Sequence, residues 1–178
     1  DHIAVFAQRR VDIVNVENPS QPRRVAQIEV LDSLEQMESH RGHLYLSFRT
    51  VTEVYDLQSP ERPRLVNEWR FPRTPPLAFV NDHLYAARFG DIHVYGLTDS
   101  QEIEFLRRIE APYTMSGSFM ARSNYLMLAG GLIYNIDNPG TPALHRINTH
   151  THEAGAFDLI DDDVFVFTDI ERGLFFMR

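Results

Sequence analysis

The chain has 178 residues, 43% of them hydrophobic and 24% charged, so it can bury a sizeable core and has the length of one globular domain. Its 25 acidic residues against 17 basic ones give a formal charge of −8, which argues against a nucleic-acid binder, since such proteins contact phosphates with cationic side chains. The absence of cysteine excludes disulfides, thiolate catalysis and cysteine-ligated metal sites, and no apolar run reaches the roughly 20 residues of a membrane helix.

The first predicted strands lie on either side of a phrase with two prolines, "VENPSQPRRVAQIEV", from Val16 to Val30. Pro19 fixes φ at about −65° after Asn18, whose side chain can bond the backbone of the turn, so the chain is expected to reverse here. Pro22 then begins a strand, where a missing N–H is tolerated at a sheet edge. The prolines are therefore predicted to be scaffold residues between a turn and an edge strand.

The next 40 residues contain four strand-like runs, namely "LEQMESH" from Leu34, "HLYLSF" from His43, "TEVYDL" from Thr52 and "RLVNEWRF" from Arg64. Short runs rich in Val, Ile, Tyr and Phe, separated by Gly, Pro, Asn and Asp, are typical of antiparallel β structure. No helix-period apolar stretch competes with this interpretation.

Two alignment columns show that this unit recurs along the chain. One column contains Val14, Tyr55, Tyr95, Tyr134 and Phe176, with separations of 41, 40, 39 and 42, and its Tyr residues are expected to lie inside the stack of repeats. The other contains His2, His43, His83, Asn124 and Asp163, with separations of 41, 40, 41 and 39. The third repeat lacks the prolines and reads "DSQEI" from Asp99, but it keeps the flanking strands. The repeats span approximately 1–33, 34–74, 75–112, 113–152 and 153–178.

The second to fifth repeats each also contain a short link that is expected to close a hairpin. These links are "RG", "ND", "SN" and "DD", beginning at Arg41, Asn81, Ser123 and Asp161. Such pairs tolerate positive φ and form two-residue turns. The acidic run Asp161 to Asp163 is also a weak candidate for calcium.

A four-stranded sheet cannot bury both faces alone, and radial stacking of units of about 40 residues is the pattern of a β-propeller. The sequence therefore predicts an all-β chain, a single β-propeller domain of four-stranded antiparallel blades over residues 1–178. About five blades are expected, with three, four, four, four and three strands. The incomplete terminal repeats are also compatible with part of a six- or seven-bladed ring.

The phrases "VDIVNVENPSQP", "EVYDLQSPERP" and "LIYNIDNPGTP" resemble the repeats of LVIVD-type β-propeller proteins. They do not resemble WD40 repeats, because no Trp-Asp dipeptide is present and Trp69 lies on a predicted fourth strand. The resemblance implies a propeller fold and an extracytoplasmic location, meaning periplasmic, secreted or at the cell surface. It implies no particular activity.

The stretch "HRINTHTHEAGAFD" holds the candidate metal ligands His150, His152 and Glu153, because a His-x-His pair on a strand directs both rings to one face. His145 and Asp158 lie nearby. The stretch falls in an inter-blade connection, and no third ligand is fixed by spacing, so a bound divalent ion is the weaker interpretation. His43 and His83 occupy equivalent positions beside a turn, which favours a packing or turn role.

Two classes of function remain. The favoured one is a non-enzymatic binding or assembly module that presents a rigid surface to a protein partner or a larger complex, without a cofactor. The alternative is a propeller hydrolase or metalloenzyme with a site at the central channel. The predicted innermost strands share no column of acids, bases or ligands, which favours the first class. The strand edges "HIAVF" and "GLFFM" are expected to recruit other strands.

Overall fold

The computed structural model describes residues 1–7, 9–88, 90–111, 119–128, 132–137, 143–146, 154–161, 164–169 and 173–177. These residues form eighteen strands and no helix, which confirms the all-β prediction. The strands coincide with the runs of β-branched and aromatic residues, whose side chains pack well on a pleated surface.

The strands form five sheets, each built from strands that are consecutive in the chain and pair as hairpins. The first sheet contains β1 (His2–Ala7), β2 (Arg10–Asn15) and β3 (Arg23–Glu29). The second contains β4 (Gln36–His40), β5 (His43–Ser47), β6 (Val51–Asp56) and β7 (Arg64–Arg70). The third contains β8 (Leu77–Val80), β9 (His83–Arg88), β10 (Asp91–Leu97) and β11 (Ile103–Glu110). The fourth contains β12 (Phe119–Arg122), β13 (Tyr125–Leu128), β14 (Leu132–Asn135) and β15 (Ala143–Arg146), and the fifth β16 (Ala154–Asp161), β17 (Val164–Asp169) and β18 (Gly173–Met177).

The strand counts of three, four, four, four and three agree with the sequence prediction. The chain divides into two compact units, one of residues 1–75 and 97–103 and the other of residues 76–96 and 104–178. In the first unit, the first two sheets share an apolar core, with Val11, Ile13, Ile28, Val30, Leu44, Leu46 and Phe48 buried. In the second unit, a core joins the third and fourth sheets, with buried members from Ala78 to Ile136. In each unit, the two sheets that share a core thus cover each other's apolar faces, because one sheet cannot bury its own.

The repeats are visible in backbone hydrogen bonds that recur at equivalent positions. At the end of the third strand of a repeat, a backbone N–H donates to the residue before the second strand: Val16 to Asp1, Leu57 to Gly42 and Ile136 to Asn124, at 3.0, 2.8 and 2.8 Å. After the fourth strand, Val30 donates to Arg9, Phe71 to Thr50 and Ala111 to Gly90, at 2.9, 2.9 and 2.8 Å. The same hairpin geometry therefore recurs with the sequence period.

The proline phrase forms the predicted turn. The N–H of Gln21 donates to the carbonyl of Asn18 at 3.0 Å, and the N–H of Ser20 donates to the Asn18 side chain at 3.2 Å. Arg62 donates to Ser59 at 2.8 Å in the second repeat, and Gln101 donates to Thr98 at 2.9 Å in the third, which has no proline. The strands that follow, β3, β7 and β11, lie at sheet edges as predicted. Pro19 and Pro60 favour this turn, but the third repeat shows that it forms without a proline.

The hairpin links agree with the prediction at three of four places. Arg41, Asn81 and Ser123 have φ values of 47°, 52° and 49°, in the left-handed region expected for such turns. Asp161 was wrongly predicted to open a turn: it is the last residue of β16, and it pairs with Val164 across the link. Asp162 and Asp163 lie outside the described residues, so the calcium prediction stays a prediction.

One alignment column needs correction by one residue, and the Tyr column is not buried throughout. Asn124 belongs to the hairpin turn, and Tyr125 begins β13 where His43 begins β5 and His83 begins β9. The Tyr column was expected to be buried, yet Tyr55 and Tyr95 are only half-buried and Tyr134 alone is buried, at 2% exposure. The fully buried column lies one residue earlier, at Ile13, Val54, Val94 and Ile133. Alternation along a strand sends neighbouring residues to opposite faces, so this column and the Tyr column lie on opposite faces of their sheets.

Candidate functional site

One face of the second sheet is polar, and its residues are brought together by strand register. Across the four strands, Gln36, Ser47, Thr52 and Trp69 form one row, and Glu38, Tyr45, Val54 and Asn67 form the next. The hydroxyls of Ser47 and Thr52 are buried and lie 3.0 Å apart, within hydrogen-bond distance. The opposite face packs into the apolar core of the first unit. We refer to this surface as the polar face.

Glu38 is the acidic side chain of the polar face. Burial raises its pKa, although the Gln36 amide donates to the carboxylate at 3.0 Å, which opposes that shift. The facing residue on β5 is Tyr45, whose pKa is also raised by burial, so its hydroxyl is protonated and acts as a donor. Glu38 therefore has a perturbed carboxyl group, but its defined contact is to a neutral amide.

The polar face holds the turn of residues 97–103 through Gln101. The carbonyl of Gln101 accepts the Trp69 indole N–H at 2.7 Å and the Asn67 amide at 2.9 Å. Its side-chain oxygen accepts the Tyr45 hydroxyl at 2.7 Å. The Tyr45 and Trp69 rings lie 5.3 Å apart. Three donors thus converge on one residue, and this cluster, named the Gln101 anchor, positions a turn.

The end of β6 carries a charged pair with a structural role. The Asp56 carboxylate accepts the backbone N–H of Gln58 at 2.8 Å and the Arg64 guanidinium at 2.7 Å. Both interactions lower the pKa of Asp56, with the backbone hydrogen bond as the larger cause. Asn15 and Asn135 make the same backbone bond, to Glu17 at 2.9 Å and Asp137 at 2.8 Å. The Asp56 carboxylate therefore stabilises the turn after β6, as the Asn15 and Asn135 side chains do in their own repeats.

An aromatic cluster lies on the third sheet. The Phe105 ring packs against Tyr95 and His93 with centroid distances of 5.8 and 5.5 Å. Phe105 is nevertheless 54% exposed, and its neighbour Leu106 is also exposed. Burial, followed by the charge of Arg88, lowers the pKa of His93. The cluster presents a rigid aromatic surface with one exposed ring.

The outer edges of the first two sheets are irregular and charged. In β3, Val25 is an extra residue between the partners of Ile13 and Val14, and in β7, Val66 is an extra residue between the partners of Val54 and Tyr55. Such bulges twist an edge and interrupt its regular pattern of donors and acceptors. Arg and Glu side chains also occur along both strands, at Arg23, Arg24, Glu29, Arg64, Glu68 and Arg70.

The edge formed by β1 differs from these outer edges. β1 ends the strand order of the first sheet, and it contains no Lys, Arg, Asp, Glu or Pro. Ile3, Val5 and Phe6 are exposed, and the pairing of β1 with β2 is regular over all six residues. β1 is therefore a regular, uncharged and apolar edge.

The predicted metal ligands His150, His152 and Glu153 lie outside the described residues, so this prediction stays untested. Within the described ranges, no group of three or more His, Asp or Glu side chains is arranged to hold a metal ion. His43 lies beside its turn as predicted, with Nδ1 3.1 Å from the Arg41 carbonyl. The Gln101 anchor was not predicted, although the lost prolines around "DSQEI" and the lone Trp69 are signals that could have revealed it.

Comparison with known proteins assigns no family, because neither a scan against protein-family models nor a search of the curated proteins finds a match. In the residues that the structure describes, no helix is long and apolar enough to cross a membrane.

Proposed function

We propose that the chain is a non-enzymatic binding module of the LVIVD propeller type that docks a protein partner, or a larger assembly, outside the cytoplasm. The observation that supports docking most strongly is an exposed apolar pair at equivalent positions of two sheets. These outer pairs are Leu65 with Val66 on β7 and Phe105 with Leu106 on β11. Exposed apolar side chains that recur in a scaffold are typical of interaction surfaces.

Phe105 is the strongest anchor among these residues. Aromatic side chains held in place on one side and exposed on the other contribute strongly at protein interfaces, since they lose little entropy on binding. Packing against Tyr95 and His93 fixes the Phe105 ring before a partner arrives. Exposed charged side chains on the same strand, Glu104 and Arg108, give the surface a polar surround.

The buried polar groups support a scaffold role. Ser47 bonds Thr52, Asp56 bonds Arg64 and a turn amide, and Tyr45 bonds Gln101. Each of these pairs holds strands or turns together. The excess of acidic residues favours a protein partner over nucleic acid.

The propeller part of the proposal is supported by five consecutive hairpin sheets with recurring hydrogen bonds. Within the second unit, the first strands of neighbouring sheets, β8 and β12, contact each other, as expected for blades around an axis. A crystal structure tests this directly. Sheets radiating from one axis would support the proposal, whereas sheets stacked in a row without a common axis would contradict it.

Site-specific photo-crosslinking in the producing cells tests the docking surface. A photoreactive phenylalanine at position 105 is expected to capture one partner protein reproducibly. The matched control is the same group at Leu31, which is more exposed, at 82%, but lies in a connection between sheets. Equal capture from both positions, or none from position 105, would contradict the proposal.

Metal content separates this proposal from the alternative hydrolase or metalloenzyme. Purified protein is expected to contain far less than one equivalent of Zn, Ca, Mn or Fe. A stoichiometric metal lost on substitution of His150, His152 and Glu153 would favour the alternative. That substitution set leaves the outer pairs intact, so the two functions can be distinguished.

A further inference from the structure

The turn that the polar face holds differs in backbone conformation from its counterparts. In the first three repeats, the turn before the fourth strand is closed by equivalent backbone bonds, donated by Gln21, Arg62 and Gln101. Of these three described residues, only Gln101 has a positive φ, at 61°. A proline follows each of the other two, whereas Glu102 follows Gln101. Because a proline favours extended conformations in the residue before it, the two proline turns disfavour the conformation of Gln101.

The left-handed conformation sets the direction of the Gln101 carbonyl. This carbonyl accepts the Trp69 indole N–H at 2.7 Å and the Asn67 amide at 2.9 Å. At positive φ a residue other than glycine is confined to the left-handed region, whose ψ differs by about 100° from that of extended backbone. An extended residue at this position would therefore direct its carbonyl away from both donors.

The donors are as specific to the second sheet as the conformation is to the turn. By strand register, the three donor positions of the second sheet correspond to three apolar positions of the first, so that Tyr45, Asn67 and Trp69 stand where the first sheet has Ala4, Ala26 and Ile28. Leu57, directly after β6, packs with these three residues in the apolar core. A repeat with a proline turn thus meets an apolar face, whereas the turn without proline meets a face of donors.

We propose that the polar face is a recognition site within the chain, which selects a turn with a left-handed residue and so accepts the third repeat in preference to a proline turn. With a proline turn in its place, the Trp69 and Asn67 donors would lack their acceptor. A buried donor without an acceptor lowers the folding equilibrium constant about tenfold or more.

The consequence is a defined order of repeats. Similar repeats can exchange places within a chain or between copies, which is a characteristic misfolding route of repeat proteins. A face that rewards one turn and penalises the others opposes such exchange. This role goes beyond the docking function, since it concerns how the chain holds its own turn of residues 97–103 and uses none of the outer pairs.

Glu102→Pro tests the conformational requirement, because it places Gln101 before a proline, as in the other two turns. The chain has one tryptophan, so the Trp69 indole N–H gives a single proton–nitrogen signal. Hydrogen exchange of this N–H should become at least about tenfold faster in the variant, because its acceptor carbonyl is directed away. Refolding at about 100 μM should also give a larger fraction of exchanged dimer than the unchanged chain, as measured by size-exclusion chromatography.

Two matched controls isolate the effect of the proline at position 102. Asp99→Pro introduces a proline at the place that Pro19 and Pro60 occupy in their turns, so exchange at Trp69 should not change. Thr98→Ala removes the hydroxyl that accepts the Glu102 N–H at 3.0 Å, a bond that Glu102→Pro also loses. It leaves Gln101 unconstrained, so exchange at Trp69 should stay within about twofold. Equal acceleration in either control and in Glu102→Pro would overturn the proposal.

Gln101→Gly tests the same claim in a chain whose turn is relaxed, and it decides the matter even if Glu102→Pro does not fold. Glycine adopts positive φ readily and keeps the carbonyl, although the bond from Tyr45 to the Gln101 side chain is lost. Exchange at Trp69 should therefore stay within about threefold of the unchanged chain. Fast exchange in Gln101→Gly, or full protection of the indole in Glu102→Pro, would overturn the proposal.

Discussion

The edge of β1 and the outer edge of β7 belong to the same unit, and they show two different treatments of an exposed strand. β7 carries arginine and glutamate, begins after Pro63 and is interrupted by the bulge at Val66. β1 is uncharged and pairs regularly along its whole length. Bulges and charges are the devices by which proteins prevent edge pairing. The outer edge is thus protected against strand pairing, whereas the β1 edge carries none of these devices.

A second difference lies in how firmly each edge is held. β7 is fastened by Trp69, which is buried and donates to the Gln101 carbonyl. β1 ends its sheet, and its largest side chain, Phe6, is exposed at the sheet margin. The protected edge is therefore also the anchored one.

Among the proposed substitutions, Trp69→Ala is expected to lower the unfolding free energy most. Removal of the indole should cost about 3 to 5 kcal/mol of unfolding free energy, as do other large aromatic truncations in cores. Phe6→Ala should cost about 1 kcal/mol or less, since its ring is already partly in water. Urea denaturation measures both. Equal losses would show that the two edges are held alike.

The unfolding free energy lost when a Tyr of this column is replaced by Ala is expected to depend on how far that Tyr is buried. Tyr134→Ala should cost about 3 kcal/mol, because the ring is buried and its hydroxyl donates to the Glu110 carbonyl at 3.2 Å. Tyr95→Ala should lower the unfolding free energy by about half as much, because Tyr95 is only half-buried. Urea denaturation of the two variants decides the matter. A larger loss of unfolding free energy for Tyr95→Ala than for Tyr134→Ala would instead support the buried Tyr column that the sequence predicts.

A pH-dependent effect is expected at Asp56, which pairs β6 with the outer strand. Its folded pKa is lowered, so its extra stability is present above the ordinary Asp pKa and is lost as pH falls through the folded value. Asp56→Asn keeps the turn acceptor that Asn15 and Asn135 provide, so it removes only the charge. We expect a loss of about 1 kcal/mol or less at neutral pH, since Arg64 is largely exposed.

The loss should shrink as pH falls below the ordinary Asp pKa, and it should vanish once pH lies below the lowered folded value. Urea denaturation at several pH values measures this convergence. A difference between Asp56→Asn and the unchanged chain that stays constant with pH would contradict the charge account.

The smallest effect is expected from Val66→Lys, which should change unfolding free energy by no more than about 0.5 kcal/mol. The side chain is exposed and belongs to a bulge, so a lysine there reaches water freely. Thermal denaturation provides the measurement. A strong destabilisation would mean that the outer edge is packed against something in solution.

Much of the fold could be predicted from the sequence, because strands and turns here depend on local chemistry. The proline phrase at Asn18 to Pro22 and the left-handed turns at Arg41, Asn81 and Ser123 are encoded within a few residues. The predicted strand counts follow from the same signals.

The sequence could not reveal which residues of each strand are fully buried, nor which residues distant in the chain form hydrogen bonds with each other. The bulges at Val25 and Val66 add one residue to a strand without changing its composition. The Tyr column was placed inside the stack, although Tyr55 and Tyr95 are only half-buried. The Gln101 anchor joins residues more than 30 positions apart, and hydrogen bonds of this kind leave no periodic signal.

The contrast between the two edges can be measured most directly by amide hydrogen exchange at two protein concentrations. The amides of His2, Ala4 and Phe6 point away from β2, because the Asp1 carbonyl accepts the Val16 N–H and antiparallel bonds alternate along the strand. The account predicts that these amides exchange at least about tenfold more slowly at about 500 μM than at about 5 μM, because an unprotected edge pairs with other strands at high concentration. Amides on the outer edge of β7 should exchange at the same rate at both concentrations. Concentration-independent exchange in β1, or equal slowing in β7, would contradict the claim that only the outer edge carries devices against strand pairing.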